Sequence, residues 1–427
     1  MSFAIIGVFF VLVILGFPIG FSLGIVPIAA FLLFDMTALT TPIQKMFTGL
    51  DSFALLAVPL FILAGDLMST TNMSGKLIDF ANMFVRRIRG GLGMATVLSS
   101  TLFGGVSGSA NADTAAIGAI TIPGMIITGY SRGFATALQA CSGTIGCLIP
   151  PSILSIMFGV AASCSISKMF MGGIIPGILM CIAYMICCYI YALREGKGKI
   201  VPYALPKGKT KGRIIGEATP ALLLVVILIG GIRFGIVTPT EGASVAVIYA
   251  IIVGRFVYRT LTLQKFYKSL VDSAITSGSV LMIIANAYIL SYLLTVEGLP
   301  MIIKGFLSQF QASPVIILLL INLLLLIVGT FLEGIAAIVL LTPVLLPAAE
   351  YAGLDAVGFG IIMITALIIG MFTPPVGVTL FVACGVSGAK MSEAFRYLAP
   401  LFIAAIAVLL LVNIFNHQIC AFVELIT

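Results

Sequence analysis

Two clusters of oxygen-bearing residues, each beside a double proline, are the main chemistry that this 427-residue sequence offers. "GCLIPPS" runs from Gly146 to Ser152 and "GMFTPPVG" from Gly370 to Gly377. A short polar stretch precedes each inside an apolar run: "SGSAN" (107–111) before the first, "TFLEG" (330–334) before the second. Proline has no N–H and clashes with the preceding turn, so two in a row end a helix and free carbonyl oxygens. Such carbonyls, with Ser, Thr and Asn oxygens, are hard ligands that can replace the water around an alkali cation. Helices that restart at the polar tips turn positive dipole ends toward the space between them, which favours an anion there. Two acids stand in or just beyond these stretches, Asp113 in "NADTAA" and Glu333 in "TFLEG". Each can bind a cation or cap the helix that restarts beside it. A single break could serve packing alone; a matched pair, each facing a polar tip, argues for binding.

Other chemistries lack their components. The one histidine, His417, lies near the end of the last apolar run. The eight cysteines sit mostly in apolar runs such as "YMICCYIY" and form no CxxC or Cys/His cluster, so they read as small packing residues. Ser107 lies in "GVSGS", not GxSxG, and has no histidine partner. No GxxxxGK[ST] phosphate loop appears, which argues against an ATP-driven pump. Asp66 and Glu241 fall near expected helix ends and read as caps or interface charges. No cofactor is called for beyond coupling ions.

The elements that must position these groups are membrane helices. Of the residues, 61% are hydrophobic and 9% charged, against roughly 25% charged in a soluble domain. The chain reads as an all-α polytopic membrane protein. Its first apolar run has no Lys or Arg ahead of it, so it is expected to remain as a helix rather than be cleaved. The halves repeat at an offset of 224: Gly105 with Gly329, Pro123 with Pro347, Gly146 with Gly370, Pro150-Pro151 with Pro374-Pro375, Pro176 with Pro400. Upstream the offset drifts, "TPIQKMFTGLDS" (41–52) matching "TLQKFYKSLVDS" (262–273).

The first repeat, 1–193, comprises a scaffold segment (1–71), an interface helix (75–89), a helical hairpin (91–127) and a broken helix (132–163). A basic linker, 194–216, follows. The second repeat, 217–427, comprises 217–296, 299–311, 313–350 and 355–388 in the same order. Runs 91–127 and 313–350 are too long for one span of ~20 residues and have polar, glycine-containing centres, so each is expected to be a re-entrant hairpin. About five crossings per half, an odd number, invert one repeat relative to the other. With the N-terminus outside and the linker in the cytoplasm, only Lys45, Lys168, Arg233 and Lys304 of the 22 Lys and Arg fall outside, as the positive-inside rule requires. In the first interface helix Leu77, Ala81, Phe84 and Ile88 form one apolar face; in the second, Ile303, Phe306 and Phe310 do. The net charge of +7 suits contact with anionic lipids, not nucleic acid.

The stretch "GGVSGSANADTAAIGAITIPGM", followed by "GTIGCLIPPS" and later by "TPPVG", resembles the large membrane subunit of tripartite ATP-independent periplasmic (TRAP) transporters. The resemblance covers essentially the whole chain, and its general look is nearest the sialic-acid branch. It implies an elevator, with a mobile transport domain sliding past the scaffold, driven by sodium and importing an organic acid such as a sialic acid or a C4-dicarboxylate. It implies a small four-helix membrane subunit, a periplasmic binding protein that delivers the substrate, and a bacterial inner membrane, with the N-terminus periplasmic.

Carried over, the first sodium site falls on Ser107, Gly108, Ser109, Asn111, Gly146 and Pro150. The second falls on Thr330, Glu333, Gly334, Gly370, Thr373, Pro374 and Val376. The second tip has fewer side-chain oxygens, so its site leans on backbone. Substrate is expected at Ser109, Ala110, Asn111, Asp113, Pro151, Ser152, Gly334 and Pro375. A stand-alone sodium–dicarboxylate symporter of the same superfamily is the nearest alternative. A channel lacks its continuous polar pore, and a membrane-embedded enzyme lacks its nucleophile and base.

Overall fold

Apolar runs bounded by Gly, Pro and Ser become helices throughout, because a backbone in lipid must satisfy its own hydrogen bonds. The computed structural model describes residues 2–34, 40–194, 210–302, 305 and 313–427, and every element among them is helical. Ahead of the first hairpin come α1 (Ser2–Ile14), α2 (Ile19–Phe34), α3 (Thr40–Leu50), α4 (Ala57–Thr70) and α5 (Met73–Val85). Hairpin helices α6 (Gly91–Ser107) and α7 (Ala110–Ile127) follow, then α8 (Arg132–Thr144), α9 (Ile153–Ala161) and α10 (Ile166–Arg194). The second half holds α11 (Lys211–Arg233), α12 (Pro239–Ile252) and α13 (Leu263–Val296). It continues with α14 (Pro314–Phe331), α15 (Gly334–Tyr351), α16 (Ala356–Gly370), α17 (Val378–Ser387), α18 (Met391–Ile414) and α19 (Asn416–Ile426). Among the described residues, nine helical stretches are long and apolar enough to cross a membrane.

Where a single proline occurs within a helix, as at Pro27, Pro176, Pro220 and Pro400, the helix continues through it. At each double proline the helix stops, and both Pro-Pro bonds are cis. The contrast follows from the missing donors: neighbours can re-satisfy one freed carbonyl, but not a whole turn.

Two groups of helices result. In the first, α2, α3 and α4 pack on α13, and α4 also packs on α12. The Asn286 side-chain amide donates to the Gly20 carbonyl at 2.8 Å and joins α13 to α2. An interhelical bond of this kind contributes about 0.6 kcal/mol, so packing supplies most of the seam. In the second group the two hairpin–break units interlock: α17 packs on α7 and α8, α18 on α8 and α10, and α15 on α9. Between the groups, α13 lies against α15, and α4 against α6.

The stretches matched at 41–52 and 262–273 are both helical, but α3 ends at Leu50 and the chain turns before α4, whereas α13 runs unbroken from Leu263 to Val296. Two expectations need correction. The expected apolar face of 75–89 is split. Leu77 and Ala81 are buried with Ile78 and Val85 against α6 and α11, while Phe84 and Ile88 are 59% and 44% exposed. Apolar residues stand on two sides of this helix, so periodicity alone does not select the protein-facing one. Asp66, expected as a cap or interface charge, lies within α4. Glu241, by contrast, does cap: it closes a capping box with Thr238 at the start of α12. Most of the interface helix 299–311 (303–304 and 306–311) and linker residues 195–209 lie outside the described residues.

Candidate functional site

The first hairpin turns on two residues, Gly108 and Ser109. Gly108 has φ +61°, and a Cβ there would lie 2.5 Å from the Pro151 carbonyl oxygen, so only glycine lets the tip rest on the first break. Ser109 N-caps α7, accepting from the Ala112 N–H at 3.5 Å. The cap is therefore Ser109, and Asp113 is released for another role. Asp113 is fully buried. Its Oδ1 accepts a hydrogen bond from the Ser107 hydroxyl, and its Oδ2 has no partner. That oxygen abuts Gly146 of the broken helix so closely that a Cβ on Gly146 would overlap it. Among the described residues no Lys or Arg pairs with Asp113. A carboxylate buried without a cation is costly, and a bound cation beside Oδ2 would relieve that cost.

Ser107, Gly108, Gly146 and Pro150 are all buried and lie together where tip meets break, with Ser109 and Asn111 at the tip's more open side. Gln139 of α8 ties the unit together, donating to Ser100 Oγ at 3.5 Å and to the Asp113 carbonyl at 3.3 Å.

The second unit repeats the plan with other side chains. Its tip is Leu332 and Glu333. The Gly377 N–H donates to the Thr330 carbonyl at 3.4 Å, joining break to tip, and Gly370 meets Gly329 backbone to backbone. The Thr330 and Thr373 hydroxyls donate to Ile327 and Ile369 carbonyls at 2.8 and 2.6 Å, which leaves their lone pairs free. Glu333 occupies the N-cap position of α15 but makes no side-chain capping bond. Pro374 is partly exposed, Pro375 exposed and Val376 43% exposed, unlike the buried first break.

The breaks also share a repair. The Cys147 carbonyl accepts from the Ser152 hydroxyl, and the Met371 carbonyl accepts from the Thr379 hydroxyl at 2.9 Å. Cys147 and Met371 are 224 positions apart, so the same freed carbonyl is re-satisfied in both halves by a different hydroxyl. The double prolines therefore expose fewer carbonyls than their sequence implies.

A cavity of about 590 Å³ opens between the two groups of helices. Both tips reach it, through Ser107, Ser109, Asn111 and Glu333. Ala110 and Gly334 line a smaller void between the tips. Of the residues expected to hold substrate, Asp113, Pro151, Ser152 and Pro375 line neither. Asp113 stands behind the tip, sealed against Gly146 and away from both cavities. The opposite wall was not anticipated: Asp66 and Ser69 of α4 with Asp272, Ser273 and Thr276 of α13. A signal for it exists, since Ser269, Ser273 and Ser277 recur every four residues and mark one polar stripe on an apolar helix.

A family model described as tripartite ATP-independent periplasmic transporter, DctM component, matches residues 6–417. The isethionate TRAP transporter permease DctMQ of Oleidesulfovibrio alaskensis is 41% identical over 95% of this chain and 64% of its own length. The sialic acid TRAP transporter large permease SiaM of Vibrio cholerae is 39% identical over 94% of this chain and 93% of its own. The C4-dicarboxylate TRAP transporter large permease DctM of Pseudomonas aeruginosa is 38% identical over 92% and 91%. Among solved structures, the YdaH transporter of Alcanivorax borkumensis aligns over 89% of this chain and 88% of that one, with a TM-score of 0.63 at 15% identity. MtrF of Neisseria gonorrhoeae aligns over 88% and 85% with a TM-score of 0.55 at 14% identity. Those two likenesses concern the fold alone.

Proposed function

This chain belongs to the DctM-component family of tripartite ATP-independent periplasmic transporters, and from that premise we propose that it is the large permease of a sodium-coupled importer of an organic anion. It is a multi-pass transport protein, not an enzyme. The observation that carries the anion reading is the cavity shared by both hairpin tips, each beside a double-proline break. Sodium at the tip–break junctions, near Asp113 in the first half and Glu333 in the second, offsets the acids and makes the space between the tips receptive to an anion. Helix starts at Ala110 and Gly334 add positive dipole ends. Relatives named for isethionate, sialic acid and C4-dicarboxylates frame the range of acids.

The mechanism is an elevator in which the interlocked hairpin–break units move as one block. The scaffold is 1–71 with 217–296, and the two inverted repeats place one ion site in each half. The helix α5 serves as an arm between them: it packs on α6 of the block, while Lys76 pairs with Glu217 of α11 at 2.8 Å. The partners are the small four-helix subunit on the scaffold's lipid side, as docking on the block would hinder sliding, and a periplasmic binding protein.

The decisive experiment uses proteoliposomes holding this chain with its small subunit. With an inward sodium gradient, free substrate alone is expected to drive little uptake, and adding the loaded binding protein is expected to restore it. Robust uptake by this chain alone, without either partner, would favour the stand-alone symporter instead.

Orientation has its own test. A cysteine introduced as Gly212→Cys, exposed at the start of α11, is expected to react with an impermeant maleimide only after cells are opened. Labelling of intact cells would reverse the cytoplasmic placement of the linker.

A further inference from the structure

The scaffold wall of the cavity carries two carboxylates, Asp66 on α4 and Asp272 on α13. Hydroxyls of Ser69, Ser273 and Thr276 stand among them, and no Lys, Arg or His lines the cavity among the described residues. Ser273 is 5% exposed and its Oγ has no partner in the protein, so it is available to a ligand. The wall is seated on the first hairpin. A Cβ on Gly65, next to Asp66, would lie 3.0 Å from the Ser107 α-carbon, so α4 crosses the end of α6 at contact distance. A hydrogen bond of 3.2 Å between Thr70 and Ser269 fixes α4 against α13 one turn away.

An ionised carboxylate is an acceptor only. It attracts hydroxyl or ammonium donors and repels a second anionic group, the more strongly where low-dielectric walls exclude water. Resting on the reading of this cavity as the anion site, we propose that the acidic wall sets substrate class. The anionic head of the substrate lies at the tips, and the far end, against Asp66 and Asp272, carries hydrogen-bond donors. The carrier takes hydroxylated or amino monoanions and discriminates against dianions of the same length.

Matched acids test this. In 4-hydroxybutyrate and succinate, and in gluconate and glucarate, a terminal hydroxymethyl is exchanged for a carboxylate. The purified permease with its small subunit, in detergent at saturating sodium, is melted with a thiol-reactive dye, for which the free cysteines serve as reporters. The monoanion of at least one pair is expected to raise the melting point at a concentration at least tenfold lower than its dianion. In the double variant Asp66→Asn with Asp272→Asn, that ratio is expected to fall to within about twofold. Asp272→Lys, at an exposed position and so tolerable to the fold, is expected to turn the preference toward the dianion. Equal or better stabilisation by the dianion in the unaltered protein overturns the proposal, and so does an unchanged ratio in the variants. If neither acid of any pair stabilises any of the proteins, with or without sodium, the anion-site reading beneath the proposal is what fails.

Discussion

Gly370→Ala is expected to yield little folded protein. A Cβ at Gly370 would lie 2.5 Å from both the α-carbon and the carbonyl carbon of Gly329, and backbone cannot rotate away as a side chain can. Alanine gains about 1 kcal/mol over glycine in a helix interior. Forcing α14 and α16 apart costs more, typically about 1–3 kcal/mol for an added methylene in a packed core and beyond that against backbone. The contact also holds the second break at its tip, so separation there opens the Gly377–Thr330 link. The measurement is the monodisperse fraction on size exclusion together with the melting point. Gly385→Ala in α17 is the internal control, because nothing lies within 4 Å of its Cβ direction. It is expected to keep stability or raise it by up to about 1 kcal/mol, the gain of alanine over glycine inside a helix. Equal behaviour of the two variants would show that the glycine contact does not set the fold here.

Asp113→Asn is expected to be the most damaging change that leaves the protein folded. The amide keeps the size of the side chain and an acceptor for Ser107, so the tip's internal bond survives. It removes the charge beside Gly146, where Oδ2 lies buried and unpartnered. Under the proposed coupling, loss of that charge raises the sodium concentration for half-maximal uptake at least tenfold, about 1.4 kcal/mol of ion binding. Under the same proposal, uptake at fixed low sodium falls as well, because the anion site depends on the sodium bound beside it. Sodium titration of uptake, beside a melting curve without sodium, separates the two roles open to this acid. A normal sodium curve with a lowered melting point would reduce Asp113 to a staple of the hairpin. Asn111→Ala and Thr373→Ala are expected to shift the same curve less. Asn111 lines the open cavity, and Thr373 keeps its hydroxyl proton on the Ile369 carbonyl.

Much of the architecture is legible in the chain because membrane solvent imposes a simple code. Apolar length marks a crossing, polar glycine-rich centres mark hairpin turns, and paired prolines mark breaks. The turns at Gly108-Ser109 and Leu332-Glu333 fall inside the stretches expected for them, and the helices stop beside both proline pairs. The 224-residue offset extends even to the freed carbonyls of Cys147 and Met371.

What the chain alone leaves undecided is which way each side chain faces. In a soluble protein apolar means inside; in a bilayer, lipid is as apolar as the core, so the hydrophobic pattern loses its sense of direction. That is why Phe84 and Ile88 turn outward beside the buried Leu77 and Ala81. Asp66 and Asp272 are 206 residues apart in the sequence, and only the packing of α4 on α13 sets them on one wall. Asp113 and Asn111 are two residues apart on one helix, yet one is sealed against Gly146 and the other lines the cavity. Residue types and spacing determined the class, the repeat and the two break–tip units. Tertiary structure decided the cavity, its acidic wall and which tip residues are sealed and which line the cavity, because those depend on contacts between helices far apart in the chain.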